Sequence, residues 1–383
     1  MSIELQYQNW YNIFGPKSEP KKFVISNYNE IATIPLTAEE GLAETSERYD
    51  YAPAKVSERL YYNYQEFTLD SLKRKFPDIE LKFIGSIENP VAIKRISDTL
   101  DHLPPRVRDS IKGFVIYSDE KYQEASPGES SAWTFSDRII RLRLSDLTES
   151  TIYHEAAHDL TYQLQQEADK EKSRLKIQEY NKLKSEIKQL AKKYNIEVYN
   201  IEVSDSGHGW STKIGTDTKL FSDEVDPLIK KRKEEIAVLT ASPFASEWSS
   251  ISGDVYGKGL AYKETGGRLA YIWNDGSDRP KNGCVRAYSC NNFMEDVATF
   301  VENVYKKPDF YQPLIDPKSP IYDKRYVDKI NLLLKYDFID ETSYKRITAI
   351  TGQNKGDYYE VKRNDGKVYR YFYANGMTSV GPK

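Results

Sequence analysis

The chain has 383 residues and a mass of 44.3 kDa, which is enough for roughly two to three domains with a sizeable buried core. Its 55 basic and 58 acidic residues give a formal net charge of −3, so the sequence lacks the basic excess typical of nucleic-acid-binding proteins. Aromatic residues make up 13% of the chain, too many for intrinsic disorder, and no apolar run approaches the ~20 residues of a membrane span.

An N-terminal region is predicted at residues 1–84. Within it, Val56–Phe67 has the pattern of a helix and Glu80–Ile84 that of a strand. Pro90–Leu103 follows as a helix that ends at Pro104-Pro105, because proline cannot continue a helix.

Two strands and a long helix are predicted next. Gly113–Tyr117 is a short apolar run typical of a buried strand. Arg138–Leu144 alternates along most of its length, with apolar and arginine side chains on opposite faces. Asp146, with Glu149 three residues later, resembles a capping box, so a helix is expected to begin there and to continue until about Asn195.

The second half of that helix, residues 165–195, is predicted to be a long helical arm. Its apolar residues recur at intervals of three and four, as in a coiled-coil seam, and the remainder is mostly charged. The seam residues are Tyr180, Leu183, Ile187, Leu190 and Tyr194. Such an arm stands in solvent, folds as a helical hairpin on the rest of the protein, or contacts a partner through the seam.

The elements of the C-terminal half are less regular. Residues 224–239 and 292–304 are predicted helices, and the glycine-rich stretch at 252–279 between them is predicted to be loops. A helix is expected at 326–347, and a β-hairpin with an Asn-Asp-Gly turn at 358–373.

The strongest chemical signal is His154-Glu155-Ala156-Ala157-His158 within the long helix. Residues four apart lie on one face of a helix, so His154 and His158 can ligate one zinc ion. Glu155 lies beside them and is positioned to take a proton from a zinc-bound water. The alternative is a buried histidine pair on a structural helix, which is a poor explanation because the chain has four histidines in all.

A catalytic zinc site needs a third protein ligand. Position 164 is leucine, so the third histidine of the extended motif is absent. His208, in a glycine-containing segment, is less favoured than a carboxylate on a later helix. Glu295 is the first candidate because it lies in a predicted helix, 137 residues past His158. Its competitors are Glu302 and Glu247.

These residues resemble the lethal factor-like zinc peptidases, a gluzincin family. In that family the HExxH motif is followed far downstream by a tyrosine, six further residues and a glutamate that opens a Glu-x-x-Ala helix motif. The present sequence reads Tyr288-Ser-Cys-Asn-Asn-Phe-Met-Glu295-Asp-Val-Ala298, with the same spacing, and Leu103–Ile116 resembles the stretch leading into that domain. The resemblance covers about residues 85–305. It implies that Glu295 is the third zinc ligand and that Tyr288 is catalytic.

The sequence departs from that family at one position. Similar proteins often carry an acidic residue four positions after the ligand glutamate, where it supports a zinc-bound histidine; here that position is Thr299. A hydroxyl can accept a hydrogen bond from an imidazole but brings no charge, so weaker zinc binding is expected. Asp296 or Glu302 is close enough in sequence to compensate.

The resemblance implies an α+β fold, with a zincin-like domain of mixed sheet and active-site helix at residues 85–310 and a small module at 311–383. It implies one Zn²⁺ per chain and a zinc-dependent endopeptidase, with Glu155 as general base and Tyr288 stabilising the oxyanion together with zinc. Trp133–Leu144 is the expected edge strand for a protein or peptide substrate.

Two other functions stay open. A peptidase-like binding or scaffold protein with weak or no turnover would account for Thr299 and for the long arm. A metalloenzyme acting on a non-peptide bond would use the same residues.

The location is predicted from two features. Cys284 and Cys290 are the only cysteines, and their spacing allows either a disulfide in an oxidising compartment or two free thiols. Related zincins are often exported, so a secreted, periplasmic or cell-surface protein is expected. The first 24 residues contain no apolar signal segment; export would need a signal that is missing from this sequence, and a cytoplasmic location stays open.

Overall fold

The structure is a computed structural model that describes residues 66–125, 132–195, 197–198, 200–205, 210–215, 222–265, 268–363, 366–373 and 378–380. Within these residues the chain has an α+β fold, with two four-stranded sheets and two separate two-stranded hairpins. Most of the helix predicted at Val56–Phe67, and His208, lie outside the described residues.

The described residues contain twelve helices and twelve strands. The helices are α1 (Leu69–Lys75), α2 (Pro90–His102), α3 (Pro105–Ser110), α4 (Asp119–Ala125), α5 (Glu149–Glu171), α6 (Ser173–Lys193), α7 (Ser222–Thr240), α8 (Pro243–Ser252), α9 (Phe293–Lys306), α10 (Gln312–Ile315), α11 (Lys324–Lys335) and α12 (Glu341–Thr348). The strands are β1 (Glu80–Ile84), β2 (Gly113–Tyr117), β3 (Ala132–Trp133), β4 (Ile139–Arg143), β5 (Asn200–Asp205), β6 (Trp210–Gly215), β7 (Leu260–Thr265), β8 (Arg268–Trp273), β9 (Gly352–Asn354), β10 (Tyr358–Lys362), β11 (Val368–Phe372) and β12 (Thr378–Val380).

The first sheet is mixed and has the strand order β1-β2-β4-β3. Strands β1, β2 and β4 are parallel, and β3 is antiparallel to β4. The predicted alternation of β4 is confirmed, because Ile140 and Leu142 are fully buried while Arg141 and Arg143 are half-buried. Within the predicted edge segment Trp133–Leu144, β4 is an inner strand and only β3 lies at the edge of the sheet.

Helix α5 is capped two residues later than predicted, at Thr148 instead of Asp146. Its N-cap is Thr148, whose hydroxyl accepts a hydrogen bond from the backbone N–H of Thr151 at 3.1 Å. Asp146 instead lies in a short 3-10 turn and pairs with Arg143. The helix also ends earlier than predicted, because Lys172 leaves the regular helical geometry and separates α5 from α6.

The seam of the predicted arm packs within the chain. Leu183 and Ile187 of α6 are fully buried, in a cluster with Val225 of α7 and Ile201 of β5. Residues of α7 and β5 therefore cover the middle of the seam, whereas Tyr194 at its end is 42% exposed. Contact of the arm with a partner stays a prediction.

Two predictions for the C-terminal half are wrong in detail. The stretch 252–279, predicted to be loops, contains the β7–β8 hairpin. The helix predicted at 326–347 is two helices, α11 and α12, separated near Asp337, whose φ of 62° lies in the left-handed region. The predicted hairpin is confirmed as the antiparallel pair β10–β11, although Asn364 and Asp365 of its turn lie outside the described residues.

The main hydrophobic core is centred on α5 and α9. Ala156 and Leu160 of α5 are fully buried with Val297 and Phe300 of α9. Tyr359 of the C-terminal sheet belongs to the same cluster. The division of the chain at residues 84 and 310 stays a prediction. In the described ranges, no helix combines the length and the hydropathy needed to cross a bilayer.

Candidate metal centre

Helix α5 brings the HExxH residues together. His154 and His158 are one turn apart, and their ring centroids are 4.9 Å from each other. Their side chains are 13% and 11% exposed. Helix α9 packs against α5 and brings its first turn close to these imidazoles.

Helix α9 supplies a carboxylate to the two histidines. Asn292 caps α9 by accepting a hydrogen bond from the backbone N–H of Glu295 at 3.0 Å, which fixes Glu295 in the first turn. One oxygen of Glu295, Oε2, lies 3.1 Å from His154 Nε2 and 3.9 Å from His158 Nε2. The three ligand atoms lie within 4.8 Å of one another, and this is the one such group among the residues that the structure describes.

The donor set fits zinc. Two imidazole nitrogens and one carboxylate oxygen form a common three-residue ligand set of catalytic zinc sites, which leaves a position for water. Glu155 adds a second indication, since its Oε2 is buried and has no hydrogen-bond partner among the described residues. A buried carboxylate oxygen without a donor is costly unless a ligand, ion or water satisfies it.

Neighbouring charges strongly shift the ionisation of these side chains. Burial opposes ionisation of Glu295, but the hydrogen bond from His154 and the charges of both histidines outweigh it and lower the pKa of Glu295 to about 2. Burial likewise disfavours protonated His154, but its hydrogen bonds to Glu295 and Glu302 raise its pKa to about 10. For His158 burial dominates and lowers the pKa to about 4.

Glu155 has an environment suited to holding a proton near neutral pH. Burial, together with the charges of Glu295 and Glu302, raises its pKa to about 7 against the opposing charge of His154. The backbone N–H of Thr134 donates a hydrogen bond to its carboxylate.

Asp159 is a second buried carboxyl group beside Glu155, and the sequence analysis missed it. It is fully buried, and burial raises its pKa well above the usual range. It accepts a hydrogen bond of 2.5 Å from the Thr134 hydroxyl. Its position four residues after Glu155 predicts the same helix face, a signal that the sequence did contain.

Tyr288 lies next to the candidate ligands. It begins a short 3-10 turn, Tyr288–Asn291, and its hydroxyl donates a hydrogen bond to Glu295. Its ring centroid lies 6.4 Å from that of His154. Burial and the Glu295 charge raise the pKa of Tyr288 well above 10, so its hydroxyl remains a donor at neutral pH.

A disulfide joins Cys284 and Cys290 on either side of Tyr288. Two residues of α11 hold the same segment. Tyr326 donates a hydrogen bond to the Cys284 carbonyl at 2.6 Å, and Lys329 donates one to the Gly283 carbonyl at 2.8 Å. The position of Tyr288 therefore depends on α11 as well as on the disulfide.

Asp296 does not contact the histidines. It is fully buried, and its Oδ2 accepts hydrogen bonds from Lys329 at 2.6 Å, Tyr256 at 2.8 Å and Trp248 at 2.9 Å. Lys329 is also fully buried, so the two residues form an ion pair inside the protein. The prediction that Asp296 supports a zinc-bound histidine is therefore wrong.

Glu302 contacts Nδ1 of His154, the ring nitrogen that does not face Glu295. Its Oε2 lies 3.3 Å from His154 Nδ1, and its Oε1 accepts a hydrogen bond of 2.5 Å from Ser150. Burial opposes its ionisation, but the hydrogen bond from His154 and the charge of Arg286 lower its pKa to about 2. The Thr299 hydroxyl is buried and has no hydrogen-bond partner among the described residues.

The other candidates lie outside this group. Glu247 accepts hydrogen bonds from Lys335 and Tyr336 on the protein surface. His102 contacts a backbone carbonyl of its own helix, and His208 is not described.

Comparison with protein-family models, with curated proteins and with solved structures gives no match. The resemblance to lethal factor-like peptidases therefore depends on the motif residues alone, and it stays a prediction.

Proposed function

We propose that this chain is a zinc-dependent endopeptidase with a zincin-like catalytic domain. The observation that carries the proposal is the convergence of His154, His158 and Glu295, which come from two helices and meet within 4.8 Å. The proposed site would hold one Zn²⁺ per chain. Bound zinc would supply an acidified water and a Lewis acid for a carbonyl oxygen.

The remaining groups fit peptide hydrolysis in three ways. Glu155, with a pKa of about 7, takes the proton of the attacking water at its unpartnered Oε2 and delivers it to the leaving nitrogen. Tyr288 stays protonated and donates a hydrogen bond to the oxyanion as it develops. Glu302 holds His154 by its Nδ1 and keeps Nε2 directed at the ligand position.

The position of β3 at the edge of the first sheet favours a peptide as the substrate. Only its β4 side is paired among the described strands, and the following residue, Thr134, contacts both Glu155 and Asp159. An extended peptide that added to this edge would run beside the proposed general base. The disulfide accords with the proposed location in an oxidising compartment.

The proposal is tested by metal content and by cleavage. After zinc loading and dialysis, we expect one zinc per chain in the wild type and a marked loss in Glu295→Ala. Glu247→Ala is the matched control, because this surface carboxylate should leave the zinc content unchanged. With a peptide library, Glu155→Gln should keep zinc and lose about 100-fold or more in cleavage rate.

The outcomes separate the proposal from its alternative. A wild type that retains no zinc would overturn the site. Retained zinc without cleavage of any library peptide would favour a peptidase-like binding or scaffold protein. The structure weakens the sequence argument for that alternative, since Glu302 brings to His154 the negative charge that Thr299 lacks.

A further inference from the structure

A row of three tyrosine rings extends from the candidate metal centre to the protein surface. The ring of Tyr288 lies 6.4 Å from that of His154, and the ring of Tyr271 meets Tyr288 edge-on at 5.9 Å. Tyr262 follows, 4.7 Å from Tyr271, and its hydroxyl donates a hydrogen bond of 3.2 Å to the Tyr271 hydroxyl. The row consists of three successive ring contacts that begin at a candidate ligand.

The β7–β8 hairpin sets the direction of this row. Tyr262 is paired with Tyr271 across the hairpin, and Leu260 with Trp273. Residues two apart on a strand share a face, so these four side chains project from the same side of the hairpin. Trp273 is 1% exposed and packs against the Cys284–Cys290 disulfide. Its indole N–H donates a hydrogen bond to the Arg279 carbonyl at 2.7 Å. This end of the face is therefore held at the disulfide segment that carries Tyr288.

The outer end of the row is open to solvent. Tyr262 is 57% exposed, whereas Tyr271 is partly buried and Trp273 is fully buried. Tyr262 contacts Tyr271 through its ring and its hydroxyl, and more than half of its surface remains accessible to a ligand. Tyrosine presents a large, rigid surface that is well suited to contacting a ligand, because ordering it costs little conformational entropy.

We propose that Tyr262 and Tyr271 bind the peptide substrate on one side of the bond that is cleaved. This inference depends on the proposed function. An extended peptide advances about 3.3 Å per residue, so a row of rings spaced 4.7 Å to 6.4 Å apart contacts residues beyond the one next to the scissile bond. The row favours substrates that carry aromatic or aliphatic side chains at those positions. The KM should therefore depend on peptide length, because only longer peptides reach Tyr262 and Tyr271.

The test compares long and short versions of one peptide. A ten-residue peptide that the wild type cleaves in a library is truncated stepwise from each end. The KM of the long peptide should rise about five-fold or more in Tyr262→Ala, which is the effect of losing one good aromatic contact. The KM of peptides too short to reach the row should not change. Tyr262→Phe, which keeps the ring, should behave as the wild type.

A binding measurement separates substrate contact from catalysis. The zinc-loaded Glu155→Gln variant should bind the fluorescently labelled ten-residue peptide. Adding Tyr262→Ala should raise the dissociation constant of that peptide by the same factor as it raises the KM, about five-fold or more. Tyr322→Ala removes another exposed tyrosine, in the loop before α11. It should change neither the KM of the long peptide nor its dissociation constant.

The possible failures are distinguishable. If the wild type retains zinc and cleaves the peptide, but Tyr262→Ala has an unchanged KM at every length, the substrate row is overturned while the proposed function stands. If the wild type cleaves no peptide, both are overturned. Zinc content of Tyr262→Ala equal to the wild type shows that the variant is folded around its metal site.

Discussion

The sequence offered three residues of α9 as support for a zinc-bound histidine, Asp296, Thr299 and Glu302, and Glu302 is the one that contacts His154. Glu302 lies seven residues after Glu295, which is nearly two full helical turns, so both carboxylates share a face of α9. Thr299 is four residues after Glu295, but its hydroxyl is buried without a partner among the described residues. The charged support of the histidine therefore comes from one turn further along the helix than in the family pattern.

Replacing Glu302 should weaken metal binding. In Glu302→Gln the carboxylate charge behind His154 is lost, and the zinc dissociation constant should rise about 10- to 100-fold. A competition titration with a chromogenic chelator measures this. Thr299→Val is the control: it removes only an unpartnered hydroxyl and should leave zinc affinity unchanged. A stronger loss in Thr299→Val than in Glu302→Gln would contradict the assignment.

Lys329 is a buried cation with no role in the sequence-based site. Burial lowers its pKa, and the adjacent Asp296 charge opposes that shift. Its ammonium group lies 5.0 Å from the centre of the Trp248 ring, and it contacts α9 and the disulfide segment together. It therefore ties together the two segments that carry Glu295 and Tyr288.

Breaking this ion pair should be costly. Lys329→Met leaves the buried Asp296 carboxylate without its counter-ion, and the free energy of unfolding should fall by about 3–5 kcal/mol. Lys324→Met on the same helix removes an exposed lysine paired with Asp328 and should cost about 1 kcal/mol or less. Urea denaturation of both variants makes the comparison. Equal losses of unfolding free energy in the two variants would contradict the expectation that the buried ion pair contributes more to stability than the exposed one.

At the scale of the elements, the arm formed by α6 and α7 is held by its own small core and by an ion pair. Arg232 of α7 donates to Glu186 of α6 from two guanidinium nitrogens, one of them, Nε, at 2.9 Å. The hydrogen bond from Arg232 lowers the pKa of Glu186 below its usual value of 4.5. The seam pattern in the sequence identified the buried face of α6 but could not identify the surface that covers it.

This ion pair should stabilise the arm only above mildly acidic pH. Because folding lowers the pKa of Glu186, the folded state binds fewer protons than the unfolded state near pH 4.5. The stabilisation is complete above the unfolded pKa and is lost as the pH falls through the folded pKa. Glu186→Gln should cost up to about 1 kcal/mol at pH 7, since the pair is partly exposed. The urea midpoints of the wild type and of Glu186→Gln, measured at pH 7 and at pH 3, give the loss of stability at each pH. An equal loss at both pH values would contradict a role for the ion pair.

At the scale of the whole molecule, residues after 310 take part in building the candidate site. Tyr326 and Lys329 of α11 bind the segment that carries Tyr288, and Lys329 also binds Asp296 next to Glu295. Tyr359 and Val361 of β10 are buried in the same core as α5 and α9. These contacts connect the C-terminal part to the metal centre rather than only to its own sheet.

Truncation should therefore disrupt the site. A chain that ends at residue 310 loses α11 and leaves Asp296 buried without Lys329, so we expect no cooperative unfolding transition and no retained zinc. Circular dichroism and elemental analysis of the truncated chain measure both. A folded, zinc-binding truncated chain would instead support a separate C-terminal module.

The sequence alone determined the features that are local to one element. His154, Glu155 and His158 lie within one turn of a helix, and the alternation of β4 lies within one strand, so helix and strand geometry were sufficient to predict them. The tertiary structure decided which distant carboxylates approach the histidines. Glu295 and Glu302 do, whereas Glu247 and Asp296 face other partners. That choice depends on how α5, α9 and α11 pack, which is fixed by contacts between residues far apart in the sequence.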